Sequence, residues 1–283
     1  MKRIWFLVLF FFLFSFNVNA EEGKKIYYKD KIAVLTYHNV SPKPLTNLTI
    51  TPERFEKDIL TLKRMGFNFV SLQDTIACLE GRKRPPVNAI LITFDDGLKG
   101  FYRYAFPILK KYNIPSVNFI ITSRITTKGE KDSFSMNEEE VKKVYSSGLI
   151  EIDSHTHESH DYIYINESLK QGGKLAHRAY DPAIKRFEGE RDYEKRIYDD
   201  LVKSREVIKN LLGKDSKVLC FPFGQYNEKV LEIAKGVGFE YFITTERGFN
   251  KFNSKSKKIY RYPAGYGNIR IEDVIGEIIE KKK

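Results

Sequence analysis

Five consecutive residues, Thr93-Phe94-Asp95-Asp96-Gly97, place two adjacent carboxylates where the apolar run Asn88-Ala89-Ile90-Leu91-Ile92 stops. Two negative charges at the edge of a low-dielectric core repel each other, and a cation or a shared proton relieves the repulsion. If a metal ion takes one carboxylate, the other is free to act as a base on water, a division of labour that suits hydrolysis. The remaining ligands should be histidines or carboxylates. Ser154-His155-Thr156-His157-Glu158-Ser159-His160 follows the apolar segment Leu149-Ile150-Glu151-Ile152-Asp153 and holds three of the chain's five histidines, which makes it the natural source. His155 and His160 do not have the four-residue spacing of a helical metal pair, so they belong to a strand end and the loop beyond it. Asp96, His155 and His160 would then form a three-ligand site open to water and substrate. The competing reading is an acidic turn and an unrelated polar loop, and the position of both segments at strand ends weighs against it.

Together with Phe221-Pro222-Phe223-Gly224, these segments resemble in order and spacing the motifs of the polysaccharide deacetylases, the family-four carbohydrate esterases with a NodB homology domain. The resemblance spans residues 31 to 270, and Leu35-Thr36-Tyr37-His38-Asn39-Val40 with the wide histidine spacing is similar to the poly-N-acetylglucosamine deacetylase branch. It implies a metal-dependent de-N-acetylase acting on a β-linked N-acetylglucosamine polymer. By position it implies Asp95 as general base, Asp96, His155 and His160 as metal ligands, His38 as candidate general acid and Phe223 at the oxyanion-hole position. Two histidines and a carboxylate suit zinc, while cobalt, nickel, manganese or iron could use the same donors.

The chain departs from the better-known peptidoglycan and chitin deacetylases at two places. Where their third motif has an arginine paired with the base, this chain has Cys220, and the region Ile259-Tyr260-Arg261-Tyr262-Pro263 lacks their late histidine. No histidine follows His177, which leaves His38 as the acid if a histidine does that work. Otherwise His38 is a hydrogen-bonded histidine at a strand end. His157 and His177 read as solvated loop residues. The alternatives are deacetylation of peptidoglycan, chitin oligomers or acetylated xylan, a glycan-binding protein without activity, and a metal-dependent hydrolase of another bond.

The elements that must position these groups alternate between apolar segments and helical patterns, which argues for a parallel sheet with helices packed around it. Strands are expected at residues 31–37, 67–72, 87–94, 115–122, 149–153, 217–221 and 240–244. Helices are expected at 102–112 despite Pro107, and at 138–146, 193–212, 228–237 and 271–281. A further helix starts at Thr51-Pro52, with Thr51 as N-cap. Seven or so strand-helix units imply a single-domain α/β fold, and the resemblance implies a distorted or incomplete (β/α) barrel. Asp95, Asp96, His155 and Phe223 all fall just after strands, so one barrel face collects the motifs. Residues 161–192 show no periodicity and are too long for an ordinary connection; Tyr162, Tyr164 and Tyr180 there could stack on sugars or pack the loop down.

Composition bounds the setting. Lys2-Arg3, the apolar run 4–16 and Val18-Asn19-Ala20 read as a secretory signal peptide over residues 1–20, leaving 21–283 as one catalytic domain exported to the cell surface or periplasm. The formal charge is +11, and losing Lys2 and Arg3 leaves +9, which favours anionic membrane or cell-wall surfaces. No basic helix or aromatic reading motif points to nucleic acid. Export permits a disulfide between Cys78 and Cys220 without requiring one, and Cys220, in an apolar stretch, reads as a small buried side chain rather than a nucleophile. The terminal Glu280-Lys281-Lys282-Lys283 reads as a solvated tail.

Overall fold

The computed structural model describes residues 25–43, 45–125 and 134–281. The expected signal segment, and Lys282 and Lys283 of the expected tail, lie outside the described residues. Eight strands build the framework: β1 (Lys31–Tyr37), β2 (Ala89–Phe94), β3 (Ser116–Ile120), β4 (Ile150–Ser154), β5 (Val218–Cys220), β6 (Tyr241–Ile243), β7 (Lys258–Ile259) and β8 (Tyr262–Pro263). Around them lie α1 (Pro52–Arg64), α2 (Leu72–Leu79), α3 (Phe106–Tyr112), α4 (Glu138–Tyr145), α5 (Glu190–Leu212), α6 (Glu228–Val237) and α7 (Ile271–Glu280).

Strands β1 to β7 pair in parallel in chain order. β8 pairs in parallel with β1, Leu35 opposite Tyr262. Only Tyr260 and Arg261 separate β7 from β8, so one short segment joins the last strand to the first and nearly closes the barrel. Below it, Asn250–Lys251 pairs antiparallel with the start of β1.

The strands are apolar on both faces because both faces are covered. Alternate residues such as Val34, Leu91, Val117, Phe119, Cys220 and Ile243 pack inside the barrel, together with Leu72 and Ile76 of α2. Their neighbours Leu35, Ile90, Ile92, Ile150 and Ile152 pack outward, in one cluster with Phe55 and Ile59 of α1, Val141 and Val144 of α4 and Ile275 and Ile278 of α7. Each such buried side chain contributes about 1.5–3 kcal/mol of transfer free energy. Leu219, Phe221 and Phe242 meet α5 and α6 in a third cluster.

Most expected elements are present, and two differ. Residues 67–72 supply only the short strand Asn68–Phe69, and the chain then turns into α2. Ser71 and Asp74 form a reciprocal capping box there, and Glu151 accepts the N–H groups of Leu72 and Gln73. The helix expected from residue 102 begins as the π-helical turn Phe101–Ala105, which places Pro107 in the first turn of α3. As expected, Thr51 caps α1, accepting from the Arg54 N–H at 3.2 Å. Residues 161–189 form two small hairpins, Tyr162–Tyr164 with Gln171–Gly173 and Tyr180–Asp181 with Arg186–Phe187. No described helix is long and apolar enough to cross a membrane.

Candidate active site

Parallel strands of one barrel present their C-terminal ends together, and the chain leaves β1, β2, β4 and β5 through His38, Asp95-Asp96, His155 and Phe223 respectively. A cleft of about 490 Å³ is lined by these residues together with His160, Tyr162, Arg261 and Tyr266. A cavity of about 540 Å³ between the His157–Ser159 loop and α5 is larger, but it holds none of the paired carboxylates or candidate ligands.

Three of the exits take left-handed backbone. Asp96 has φ 76°, Thr156 φ 71° and Phe223 φ 58°, conformations costing about 1–2 kcal/mol each for a residue with a Cβ. At Asp96 the bend turns successive carboxylates in different directions. Gly97 continues it at φ 72°, where a Cβ would lie 3.1 Å from Ile120 Cγ2.

Asp96 Oδ1 faces His160 Nε2 at 3.2 Å and His155 Nε2 at 3.5 Å. It is buried and makes no hydrogen bond. His155 Nδ1 donates to the Cys220 carbonyl oxygen at 2.8 Å, and because a carbonyl only accepts, the Nε2 lone pair is left pointing at Asp96. Burial, with His160 alongside, lowers the His155 pKa to about 4, which keeps the ring neutral and able to ligate. Burial opposes ionisation of Asp96, but His160 and His155 outweigh it and hold its carboxyl below the usual range. An orphaned buried oxygen facing the Nε2 atoms of two imidazoles fits a divalent cation, and these three residues could hold one.

Asp95, His155 and Cys220 also converge. That group suits a metal less well. Burial pushes the Cys220 thiol well above its ordinary pKa, which makes its ionisation costly, and both Asp95 oxygens already accept from Arg261.

The partner of Asp95 is the residue that sequence reasoning missed. Arg261 Nη1 donates to Asp95 Oδ1 at 2.7 Å and Nη2 to Oδ2 at 2.9 Å, a two-pronged pair only a few per cent exposed. Burial opposes ionisation of Asp95, but Arg261 and then His155 outweigh it and hold the carboxyl well below the usual range. Arg261 Nε donates to the Thr244 carbonyl at 3.0 Å, and Nη2 lies 3.4 Å from Cys220 Sγ. The arginine paired with the base, which position 220 lacks, has a counterpart in Arg261 of the closing segment, which occupies the space beside Cys220. A charge within the run Ile259-Tyr260-Arg261-Tyr262-Pro263 was the available signal, because a buried arginine requires a carboxylate.

His38 Nε2 stands 3.9 Å from Asp95 Oδ2, and its buried Nδ1 has no hydrogen-bond partner, unlike a histidine satisfied at a strand end. The Phe223 ring lies 4.6 Å from the His160 ring and is stacked by Tyr162 at 4.2 Å. His157 and His177 stand outside the ligand group. They are not merely solvated: His157 Nδ1 meets Thr122 Oγ1 at 2.9 Å and His177 Nδ1 donates to the Gly173 carbonyl. Cys78 and Cys220 are both free and buried.

Residues 82–242 match the family model for polysaccharide deacetylase, more than half of the chain. The chain is 29% identical over 245 residues to the poly-beta-1,6-N-acetyl-D-glucosamine N-deacetylase of Staphylococcus aureus (strain MSSA476), covering 81% of this chain and 78% of that one. It resembles the solved de-N-acetylase from Aggregatibacter actinomycetemcomitans with a TM-score of 0.77 and 26% identity, over 88% of this chain and 99% of that chain. The BpsB deacetylase domain from Bordetella bronchiseptica matches with a TM-score of 0.73 and 26% identity, over 83% and 96% respectively.

Proposed function

Since the chain belongs to the polysaccharide deacetylase family, we propose that it is a metal-dependent hydrolase removing N-acetyl groups from a poly-β-1,6-N-acetylglucosamine-like exopolysaccharide of the kind that builds biofilm. The observation that carries this reading is the pairing at one strand end of an arginine-bound carboxylate with a separate Asp-His-His group, a base and a cation site side by side. A binding protein that had lost activity would have no use for that pairing.

Asp96, His155 and His160 would hold a divalent cation, zinc foremost, with cobalt, nickel, manganese or iron compatible with the same donors; the cation would act as Lewis acid toward water and the acetamide carbonyl. Asp95, kept ionised by Arg261, takes a proton from the attacking water on Oδ2, the oxygen nearer His38. Phe223, in its left-handed turn at the rim of the cleft, offers its backbone N–H to the developing oxyanion. His38 hands a proton to the departing amine, so acetate and a free glucosamine unit leave. Export by the N-terminal segment, residues 21–283 acting as a single catalytic domain, and attraction of the basic surface to anionic membrane or cell-wall polymers complete the reading.

The test is acetate release from poly-β-1,6-N-acetylglucosamine oligomers by metal-stripped and zinc-reloaded protein, beside Asp95→Asn. Release should require the metal, and the variant should bind metal normally yet turn over about 10²–10⁴-fold more slowly. Near-normal turnover by Asp95→Asn would refute the assignment of the base.

A further inference from the structure

The cleft over the Asp-His-His group continues past Phe223. Gly224, which lines it, also lines a second cleft of about 430 Å³ with Lys170, Gln171, His177 and Gln225. Gly224 itself takes no side chain there: at φ 68°, a Cβ on it would lie 2.0 Å from Thr245 Oγ1. The Tyr162–Phe223 stack stands at the edge of the first cleft and offers flat apolar faces to a sugar ring.

Two polar side chains of the second cleft are oriented by one residue, Gly173. Its N–H donates to Gln225 Oε1 at 2.8 Å, and its carbonyl accepts from His177 Nδ1 at 3.1 Å. These bonds fix the outward chemistry. With Oε1 engaged, Gln225 presents its amide N–H groups; with Nδ1 donating to a carbonyl, the tautomer that makes this bond leaves His177 Nε2 as an acceptor. No carboxylate lines this cleft, and the cation Lys170 does.

We propose that the second cleft is a subsite for the sugar adjacent to the unit being deacetylated, and that it selects a still-acetylated, neutral neighbour over a deacetylated, cationic one. His177 Nε2 and the Gln225 amide supply one acceptor and one donor for hydroxyl and acetamide groups. An ammonium would find Lys170 and no carboxylate among the described lining residues, and Glu246 already accepts from the hydroxyl of the lining Tyr226. This inference rests on the polymer deacetylase reading and adds to it a direction: activity should fall where the neighbour on this side has already lost its acetyl group.

The experiment compares fully acetylated and fully deacetylated β-1,6-linked pentamers, with binding read by calorimetry on zinc-loaded protein carrying Asp95→Asn so that the ligand is not consumed. Adding Gln225→Glu retains the acceptor for the Gly173 N–H and replaces the amide donor with a negative charge. The ratio of acetylated to deacetylated affinity should fall about tenfold relative to the parent, and the comparison between proteins cancels the contribution of the first cleft. Adding His177→Ala should weaken the acetylated pentamer about tenfold as well. Unchanged binding in both variants overturns the subsite. Acetate release by the wild-type enzyme, run alongside, separates the two failures, because its absence on every oligomer overturns the deacetylase reading itself.

Discussion

With Asp95 and Arg261 both withdrawn from water, removing either leaves the other as a buried charge, and the cost of that exceeds the net worth of the pair. Arg261→Ala should therefore destabilise the protein by about 3–5 kcal/mol and free the Asp95 carboxyl to move upward under burial. Arg261→Lys should fall between the two, since one ammonium cannot bridge both carboxylate oxygens and also reach the Thr244 carbonyl. Urea unfolding at neutral pH checks the order; an alanine variant as stable as wild type would mean that the pair is not closed in solution. The placement of Asp95, Asp96 and His155 at one barrel face was legible in the sequence because each stands just past an apolar run that announces its strand, and His160, in the loop beyond, was legible from its spacing to His155. Arg261 was not, because it lies 166 positions from Asp95 between two two-residue strands too short to show a period. His38 was legible only as one of two options, and the structure adds its approach to Asp95 and its unpartnered Nδ1.

The candidate ligand His155 stands at the end of β4, but His160 depends on a loop that must be held from outside. Asp200, on the buried side of α5, does much of this holding: its carboxylate accepts the His157 N–H at 2.8 Å and the Glu158 N–H at 3.1 Å. Arg124 Nη2 donates to the His160 carbonyl at 3.0 Å, and Lys174 Nζ to the Glu158 carbonyl at 3.1 Å. Asp200→Ala should leave α5 and the barrel folded while lowering metal affinity about 10–100-fold, the range found when groups that orient ligands are removed. Chelator competition with cobalt-loaded protein, beside a thermal melt, measures both; unchanged affinity would show that the remaining contacts suffice. α5 itself was legible from the length of its helical pattern, although it begins at Glu190 rather than at 193, and it ends at Gly213 with φ 69°. α2 was not, because the apolar residues before it suggested a longer strand, although Ser71-Leu72-Gln73-Asp74 carried a capping signature. The hairpins of 161–189 escaped for a different reason: strands of two or three residues are defined by partners rather than by their own pattern.

Across the whole molecule, the barrel is completed where the two ends of the described chain meet. β8 pairs with β1, and behind that pairing Arg54 of α1 donates through Nη2 to the Ile269 carbonyl just before α7. Asp58, fully buried on α1, takes a 2.7 Å bond from Arg54 Nε and one from the Tyr37 hydroxyl at 3.3 Å. These bonds do not fully offset burial, which pushes its carboxyl up to about 6. The folded protein therefore holds a proton at Asp58 that the unfolded chain releases near the ordinary value of 3.8. Stability from this group is present below 3.8 and is lost as pH rises through about 6. Asp95 acts in the opposite sense, its depressed carboxyl contributing above the unfolded value and losing that contribution as pH falls further. Asp58→Asn removes the first dependence and leaves the second. Urea unfolding of both proteins at pH 4 and pH 7 should show the variant gaining about 2 kcal/mol on wild type across that interval, whatever constant offset the lost charge imposes. The gain should appear between pH 4 and 6 and then level off. A difference independent of pH would mean that Asp58 stays ionised throughout, with Arg54 outweighing burial at the junction where the barrel closes.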